Sequence, residues 1–292
     1  MGIKIFNKLS KYASLVKIAH TVFALPFAII GFYLGLINQN SVFDYRKFLL
    51  ILLCVFFARN AAMSFNRIID RNIDKLNPRT QSRDIPSGKM LLRNAVIFLV
   101  LNVLGFILST YFINSLCFFL SPVALAVILG YSFTKRFTFL AHFILGLGLS
   151  LAPIGAYLAV TAHFDLLPIL YSLTVLFWVG GFDIIYALGD INFDRKQKLH
   201  SIPQRFGITK SLIISATIHL FAFMFIITAG IFGNDGLLFW IGVVVFGILL
   251  FYQHIIVKPN DLKRINVAFF TFNGISSIIL LIFFLLDYYI SL

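Results

Sequence analysis

The sequence predicts an all-α integral membrane protein, and two observations support this fold class. Apolar residues make up 60% of the 292 residues and charged residues only 12%, whereas a soluble domain carries about 25% charged residues. The mean hydropathy is +0.95, and the apolar residues fall in long runs of the length that crosses a bilayer as a helix. These are the properties of a polytopic helical membrane protein.

Apolar runs of about 20 residues each predict nine transmembrane helices. In chain order these predicted spans cover residues 15–37, 47–66, 92–112, 116–134, 138–161, 166–188, 209–232, 236–257 and 265–287. No long linker or low-complexity segment separates the spans. We therefore expect residues 1–292 to form one transmembrane domain, with its helices arranged around a central cavity.

The basic residues indicate how the chain is oriented in the membrane. The formal net charge is +13, a value that in a soluble protein would suggest nucleic-acid binding. Of the 24 Lys and Arg, however, all but Arg46, Lys47 and Arg59 lie at one side of the predicted bundle. The positive-inside rule places that side in the cytoplasm. We expect a multi-pass protein of the cytoplasmic (inner) membrane, with its N-terminus and its polar loops inside and no nucleic-acid partner.

The acidic residues are concentrated in two regions. All 11 are aspartates, and six follow or end the second and sixth predicted spans: Asp70, Asp74, Asp84, Asp183, Asp190 and Asp194. A carboxylate close to a membrane span is costly unless it meets a cation or water, so its default interpretation is functional. Both regions are predicted to face the cytoplasm, where they could border one cavity.

The first acidic region has the spacing of one helix face. Asn66, Asp70 and Asp74 recur every four residues, so a helix would present them as one polar stripe. Two carboxylates and an amide form a hard-oxygen site suited to Mg²⁺ that is shared with a phosphate group. Cations that could bind a diphosphate follow at once. These are Arg79, Arg83 and Lys89.

The second acidic region repeats this design. Asp183, Tyr186, Asp190 and Asp194 would share one face of a continuing helix. A single acidic helix end could be a proton relay or a solvated terminus. Two Asp-x₃-Asp pairs on the same side, each followed by basic residues, favour a two-metal diphosphate site. A prenyl diphosphate would suit it, because its apolar tail could lie between membrane helices.

These motifs resemble those of the UbiA superfamily of intramembrane aromatic prenyltransferases. Asn66-x₃-Asp70-x₃-Asp74 is similar to the family's NxxxDxxxD signature, and Asp183-x₂-Tyr186-Ala-x₂-Asp190-x₃-Asp194 is similar to its DxxYAxxDxxxD signature. Tyr131-x₃-Lys135, followed by Arg136-Phe-Thr138, is similar to its YxxxK loop. The resemblance extends over the whole chain.

The resemblance implies a site and a reaction. Mg²⁺ would be held by Asn66, Asp70, Asp74, Asp190 and Asp194, diphosphate would be contacted by Arg79, Arg83 and Lys89, and Tyr131 and Lys135 would lie near the leaving group. Asp183 would orient the aromatic acceptor or an adjacent cation, and Tyr186 would contact substrate. The implied reaction is Mg²⁺-assisted loss of diphosphate, followed by attack of an electron-rich ring carbon on the allylic cation. The base that removes the ring proton is not evident from the sequence.

Further details resemble the quinone-pathway members of the superfamily. The segments Lys17-Ile-Ala-His20, Gly181-Phe-Asp183 and Leu199-His200-Ser-Ile-Pro203 look like those of 4-hydroxybenzoate polyprenyltransferases, many of which resemble enzymes acting on 1,4-dihydroxy-6-naphthoate. Asp190-Ile-Asn-Phe-Asp194 departs from the more acidic second motif common in 4-hydroxybenzoate enzymes. The acceptor therefore stays open between these two compounds, in ubiquinone or menaquinone synthesis.

Either acceptor carries a carboxylate, which requires a cationic partner. Lys17, Arg59 and Arg67 are available near helix ends. Arg59, within the second span, is the best bidentate partner, although it could equally pair with a motif aspartate. Expected partners are thus a polyprenyl diphosphate, an aromatic acceptor and the lipid bilayer, with no protein partner evident.

Other functions are consistent with parts of the pattern. An ion-coupled transporter would place its charges in the middle of the spans, whereas here they lie at the cytoplasmic ends. Other UbiA-type enzymes, such as protohaem farnesyltransferase, chlorophyll synthase or a geranylgeranylglyceryl phosphate prenyltransferase, share the motifs.

The cysteines and the histidines of the apolar spans do not indicate a further site. Cys54 and Cys117 lack metal-site spacing. Lone histidines on apolar spans, His20 and His142, are expected to form hydrogen bonds between helices.

Overall fold

Helices account for nearly all of the chain that the structure covers. A computed structural model describes residue 15 and residues 23–290. The described helices are α1 (Leu25–Gln39), α2 (Tyr45–Ile69), α3 (Arg71–Leu76), α4 (Leu92–Ile113), α5 (Ser115–Thr134), α6 (Ala141–Thr161), α7 (Leu166–Ala187), α8 (Ile191–Lys196), α9 (Ile202–Gly233), α10 (Leu237–Ile256) and α11 (Asn273–Ile290). A 3₁₀ turn, Leu188–Asp190, joins α7 to α8, and a π-helical segment, Val267–Phe272, precedes α11. The all-α class is confirmed.

Eight of the described helices are long and apolar enough to cross a membrane. They correspond to the second through ninth predicted spans. The first predicted span, 15–37, is not confirmed as a membrane helix, because α1 has only 15 described residues and most of the earlier part of that span lies outside the described residues. The count of nine therefore stays a prediction.

Two spans differ from prediction at their starts. The seventh was placed at 209–232, whereas α9 begins at Ile202 and contains a break at Gly207, where φ is 77°. Such a positive φ favours glycine, and the apolar run begins just after it. The ninth span begins in the π-helical segment, a form of helix that occurs frequently at functional sites.

The helices form a closed bundle in which α7 is the most buried. Packing runs from α1 to α2, α4, α5, α6, α7, α9, α10 and α11, and α11 returns to contact α1. Within the span that contains α7, 67% of the residues are buried, against 17% for α5. Because α7 carries the second acidic motif, that motif is held by the most constrained helix of the bundle.

Small residues allow the inner helices to approach closely. A Cβ on Gly31 of α1 would collide with the backbone carbonyl of Pro153 in α6, and a Cβ on Gly146 of α6 would collide with that of Leu176 in α7. Small residues at such crossings are typical of membrane helices, which gain van der Waals contact by close approach. These crossings fix α6 and α7 side by side.

Polar connections meet at one end of the bundle. The backbone N–H of His200 donates to the carbonyl of Lys135 at 2.7 Å, which joins the loop after α5 to the loop after α8. Leu188 packs with Val257 and Ile265 of the connection that follows α10. The motif-bearing loops are therefore neighbours.

Candidate active site

The first acidic motif lies at a break between two helices. Helix α2 ends at Ile69 and α3 starts at Arg71, and Asp70 between them has φ −90° and ψ 5°. A single helix, which would present Asn66, Asp70 and Asp74 as one stripe, is therefore interrupted at Asp70. Hydrogen bonds from Asp70 N to Asn66 O (2.9 Å) and from Asp74 N to Asp70 O (2.7 Å) nevertheless keep the four-residue spacing.

The second motif has the same kind of break. The predicted continuing helix ends at Ala187, tightens into the 3₁₀ turn and resumes at Ile191. Asp190 has φ −110° and ψ 4°, close to the values at Asp70. This sparsely populated backbone region is one in which many active-site residues lie. The first aspartate of each Asp-x₃-Asp pair thus stands at a helix break.

Side chains from separate segments hold the four carboxylates. Asp190 accepts hydrogen bonds from Arg79 (2.8 Å) and from Asn77 (3.1 Å), which connects the two motifs. Asp74 pairs with Arg83 at 2.6 Å. Asp70 accepts from Asn66 at 2.9 Å and from Arg136 at 3.2 Å, and Asp194 accepts from Ser201 at 2.9 Å. Each carboxylate is bonded, and three of the four are paired with arginine.

A cavity of about 240 Å³ lies between these segments. Of the 13 residues expected to bind metal or substrate, the following line it: Arg59, Asn66, Asp70, Asp74, Arg83, Tyr131, Lys135, Asp183, Tyr186, Asp190 and Asp194. Arg79 borders it through Asp190 and stands 5.0 Å from the centre of the Tyr186 ring. Lys89 is exposed in its loop and is not among the lining residues.

The electrostatics of the polar end depend on Lys135. Burial opposes its charge, but the carboxylates of Asp194, Asp183, Asp190 and Asp70 outweigh burial and raise the pKa of Lys135 above its ordinary value. Burial also raises the pKa of Asp70, against the opposing effect of Arg136. The raised pKa favours the charged form of Lys135 at the level of the carboxylates, which suits binding of a polyanion.

Three buried polar atoms of residues that line the cavity have no partner among the described residues. They are Oδ2 of Asp74, Nε of Arg59 and Oγ of Ser132. A buried polar group without a hydrogen bond costs free energy, so an unpaired one needs an explanation such as a missing ligand. No ion pair between Arg59 and a carboxylate is present in the described part of the chain, so the interpretation that Arg59 pairs with a motif aspartate is not supported.

A second, apolar chamber of about 340 Å³ adjoins the polar cavity. Both are lined by Arg59, Tyr131, Leu145 and Leu149. The chamber continues between α2, α4, α5 and α6 toward the opposite end of the bundle, where Phe164 lines it. A polar, carboxylate-rich cavity and an apolar chamber thus share one wall.

Several cavity contacts were not predicted from the sequence. His142 forms the hydrogen bond between helices that was expected, but its partner, Asp183 at 2.7 Å, was not predicted. Asn77 and Ser201 lie near the motifs without belonging to them. Phe269, from the π-helical segment, stacks 4.1 Å from Tyr186. The π-helical form of this segment marks Phe269 as a candidate functional residue. That form is visible only in the structure, so the sequence analysis did not find Phe269.

The fold and cavity define a polytopic helical membrane protein with a polar site at one end. A family model described as the UbiA prenyltransferase family matches residues 24–275. The chain belongs to the UbiA prenyltransferase family. It is accordingly an enzyme, an intramembrane prenyltransferase, and is similar to aromatic prenyltransferases.

Individual relatives agree with this assignment. The chain is 30% identical over 222 residues to a 4-hydroxybenzoate octaprenyltransferase of Vesicomyosocius okutanii subsp. Calyptogena okutanii (strain HA), which covers 75% of this chain and 80% of the relative. The apo structure of a UbiA homolog from Aeropyrum pernix K1 superposes with a TM-score of 0.84 at 30% identity, covering 92% of this chain and 98% of the homolog. A UbiA homolog from Archaeoglobus fulgidus, solved bound to GPP and Mg²⁺, has the same fold (TM-score 0.72, 20% identity, 95% and 99% covered).

Proposed function

We propose that this protein transfers a polyprenyl group from a polyprenyl diphosphate to the ring of a hydroxylated aromatic carboxylic acid, with Mg²⁺ as cofactor. The observation that carries the proposal is that a polar cavity and an apolar chamber adjoin. The cavity is lined by five carboxylates, Arg83 and Lys135, and the chamber of about 340 Å³ has room for part of an isoprenoid tail. A prenyl diphosphate has this same division between a polyanionic head and an apolar tail.

The residues at the polar end fit Mg²⁺. Asn66, Asp70, Asp74, Asp190 and Asp194 supply the oxygen ligands that Mg²⁺ prefers, and Oδ2 of Asp74 is buried without a partner. No three acidic or imidazole side chains converge on one point among the described residues, because arginine, amide and hydroxyl partners hold them apart. When bound, Mg²⁺ would neutralise the diphosphate and make it a better leaving group.

The basic side chains would complete diphosphate binding. Arg83 and Arg79 now neutralise Asp74 and Asp190, and both guanidinium groups could turn to phosphate oxygens once the carboxylates hold metal. Lys135 and Tyr131 reach the cavity from the end of α5. Such fixed charges stabilise the diphosphate as the bond to the allylic carbon breaks. Aromatic rings beside the cavity, such as Tyr186 and Phe269, would face the allylic cation.

The acceptor would lie between the diphosphate and the apolar chamber. Arg59 lines both spaces, and its buried Nε has no partner. A guanidinium binds a carboxylate with two parallel hydrogen bonds, so Arg59 is positioned to hold the acceptor's carboxylate. The relatives named 4-hydroxybenzoate octaprenyltransferases favour 4-hydroxybenzoate as the acceptor, and 1,4-dihydroxy-6-naphthoate is the second candidate.

A direct assay tests the proposal. Purified protein in membranes or detergent would receive Mg²⁺, a long-chain prenyl diphosphate and each of the two acceptors in parallel, with lipid-extracted products identified by mass. We expect a prenylated product from 4-hydroxybenzoate that disappears on chelation of Mg²⁺ and returns when Mg²⁺ is restored. If only 1,4-dihydroxy-6-naphthoate gave a product, the enzyme would instead belong to menaquinone synthesis. Turnover that resists chelation would contradict metal-assisted ionisation.

A further inference from the structure

His142 and Asp183 form a pair at the inner wall of the cavity. Nδ1 of His142 lies 2.7 Å from Oδ2 of Asp183, and the side chains are 0% and 16% exposed. Asp183 lines the polar cavity, whereas His142 stands behind it in α6. The imidazole therefore has no access to a substrate except through the carboxylate.

The surroundings of His142 fix where its proton lies. The backbone N–H of Ile202, at the start of α9, donates to Nε2 of His142 at 3.4 Å. A nitrogen that accepts a hydrogen bond carries no hydrogen itself, so the hydrogen of the neutral imidazole is on Nδ1. Nδ1 therefore donates to Oδ2 of Asp183, and the ring is held in one tautomer and one orientation.

Asp183 differs in its partner from three of the other carboxylates of the site. Asp70, Asp74 and Asp190 each pair with an arginine, whereas the buried Asp194 accepts from the Ser201 hydroxyl. A guanidinium stabilises the charged carboxylate and makes it a poor proton acceptor. Asp183 is bonded instead to the imidazole of His142, and Lys135, whose charge is stabilised by Asp183, is shared with Asp194, Asp190 and Asp70. Asp183 keeps one oxygen for another partner.

The position of Asp183 also suits a proton acceptor. It stands about two helical turns before Asp190 on α7, on the side of the cavity where Val179 and Leu145 begin the apolar wall. An aromatic ring that attacks C1 from the face turned away from the diphosphate would lie deeper in the cavity than the metal-binding carboxylates, at the level of Asp183.

We propose that Asp183 accepts the ring proton in the final step of the transfer and that His142 is the positioning residue that orients it; this rests on the proposed function. The new bond joins the prenyl C1 to a ring carbon, and diphosphate leaves with the electron pair of the broken C–O bond. The C–H bond at the same ring carbon then breaks. Its electron pair restores aromaticity, and the proton moves to the free oxygen of Asp183 and later to water.

An isotope effect separates this role from a structural one. We expect loss of diphosphate to limit the rate of the wild type, so 4-hydroxybenzoate deuterated beside its hydroxyl should react as fast as the ordinary acceptor. In Asp183→Asn and His142→Leu the proton step becomes limiting. We expect kcat to fall about 100-fold or more and the deuterated acceptor to react measurably more slowly, with the KM for the prenyl diphosphate unchanged.

A conservative variant provides the matched comparison. In His142→Asn the amide nitrogen can take the place of Nδ1 and donate to Asp183, so a large part of kcat should return and the isotope effect should shrink. His163→Asn, at an exposed histidine on the opposite loop, should match the wild type. Binding of the prenyl diphosphate, followed as a rise in thermal stability, shows which variants are folded.

The outcomes distinguish the two proposals. Wild-type protein that makes no prenylated ring would overturn the proposed function and this inference with it. Wild-type turnover with no isotope effect in folded Asp183→Asn would overturn the proton-acceptor role alone. An effect confined to the KM for the acceptor would show that Asp183 only orients it, and the inference would fail.

Discussion

At the scale of single residues, the site is organised by carboxylates that stand where helices break. Asp70 and Asp190 have nearly the same backbone angles, and each is held by an arginine from a segment that the sequence does not place beside it. After each break the chain continues as a short helix, and the second aspartate of the pair still follows the first by four residues. Two separate segments can therefore present carboxylates to one small cavity.

Removal of either carboxylate should stop the reaction. For Asp70→Ala and Asp190→Ala we expect turnover to fall about 100- to 1000-fold or more, because each loses a ligand that stabilises charge as diphosphate leaves. Product formation with saturating Mg²⁺ measures this loss. Asp261→Ala, in the exposed connection before the ninth span, serves as the control. Near-normal turnover of either site variant would contradict a two-pair metal site.

Arg59 should control the affinity for the acceptor. In Arg59→Gln we expect the KM for 4-hydroxybenzoate to rise about 10- to 100-fold, since a hydrogen bond to a charged group is lost. The KM for the prenyl diphosphate should not change. Each KM is measured while the other substrate is held at a saturating concentration, and comparison of the two values checks this prediction. A shift in the prenyl diphosphate constant alone would instead place Arg59 at the diphosphate.

At the scale of helices, the chamber between α2, α4, α5 and α6 should set the length of prenyl tail that the enzyme accepts. Gly155 of α6 lines this chamber, and a Cβ added there would meet no atom within 4 Å. Gly130 of α5 has equally open space but does not line the chamber. The pair therefore allows a larger side chain to be introduced inside or outside the space proposed for the tail.

Narrowing the chamber should change the preferred prenyl diphosphate. We expect Gly155→Leu to lower kcat/KM for long-chain donors more than for a two-unit donor, because the leucine occupies volume that a long tail needs. Competition between donors of different length, read by product mass, measures the shift. Gly130→Leu should keep the wild-type order of preference. Equal loss with every donor would place the tail elsewhere.

At the scale of the whole molecule, the basic loops and the candidate active site lie at the same end of the bundle. Ser87 lies in the basic loop after the first motif, and Ser41 lies in the loop between α1 and α2. The positive-inside rule predicts that the basic loops face the cytoplasm. The substrate head group, Mg²⁺ and the acceptor would then all enter from the same compartment.

Cysteine labelling in sealed spheroplasts checks this orientation. We expect a membrane-impermeant maleimide to label Ser41→Cys from outside and to label Ser87→Cys only after the cells are opened. The unmodified chain, with Cys54 and Cys117 half-buried within the bundle, is the background control. Labelling of Ser87→Cys in intact spheroplasts would reverse the orientation.

Much of this architecture was predictable because its signals are local. The fold class follows from apolar runs whose length matches a bilayer, and eight of them form long helices. The residues of the Asp motifs were found by their four-residue period, and the structure brings them to one cavity, although their catalytic roles stay predictions. The continuing helix expected over the second motif was wrong, because periodicity does not report a single residue with changed backbone angles.

The sequence by itself determined the helical membrane fold and which side chains carry the polar chemistry, since hydrophobicity and helical period act over a few neighbouring residues. Only the tertiary structure decided which of those side chains meet. The contact between Asn77 and Asp190 spans 113 positions, and that between His142 and Asp183 spans 41. Both depend on how closely α6, α7 and the motif loops pack, and such packing is a property of facing surfaces rather than of any one segment.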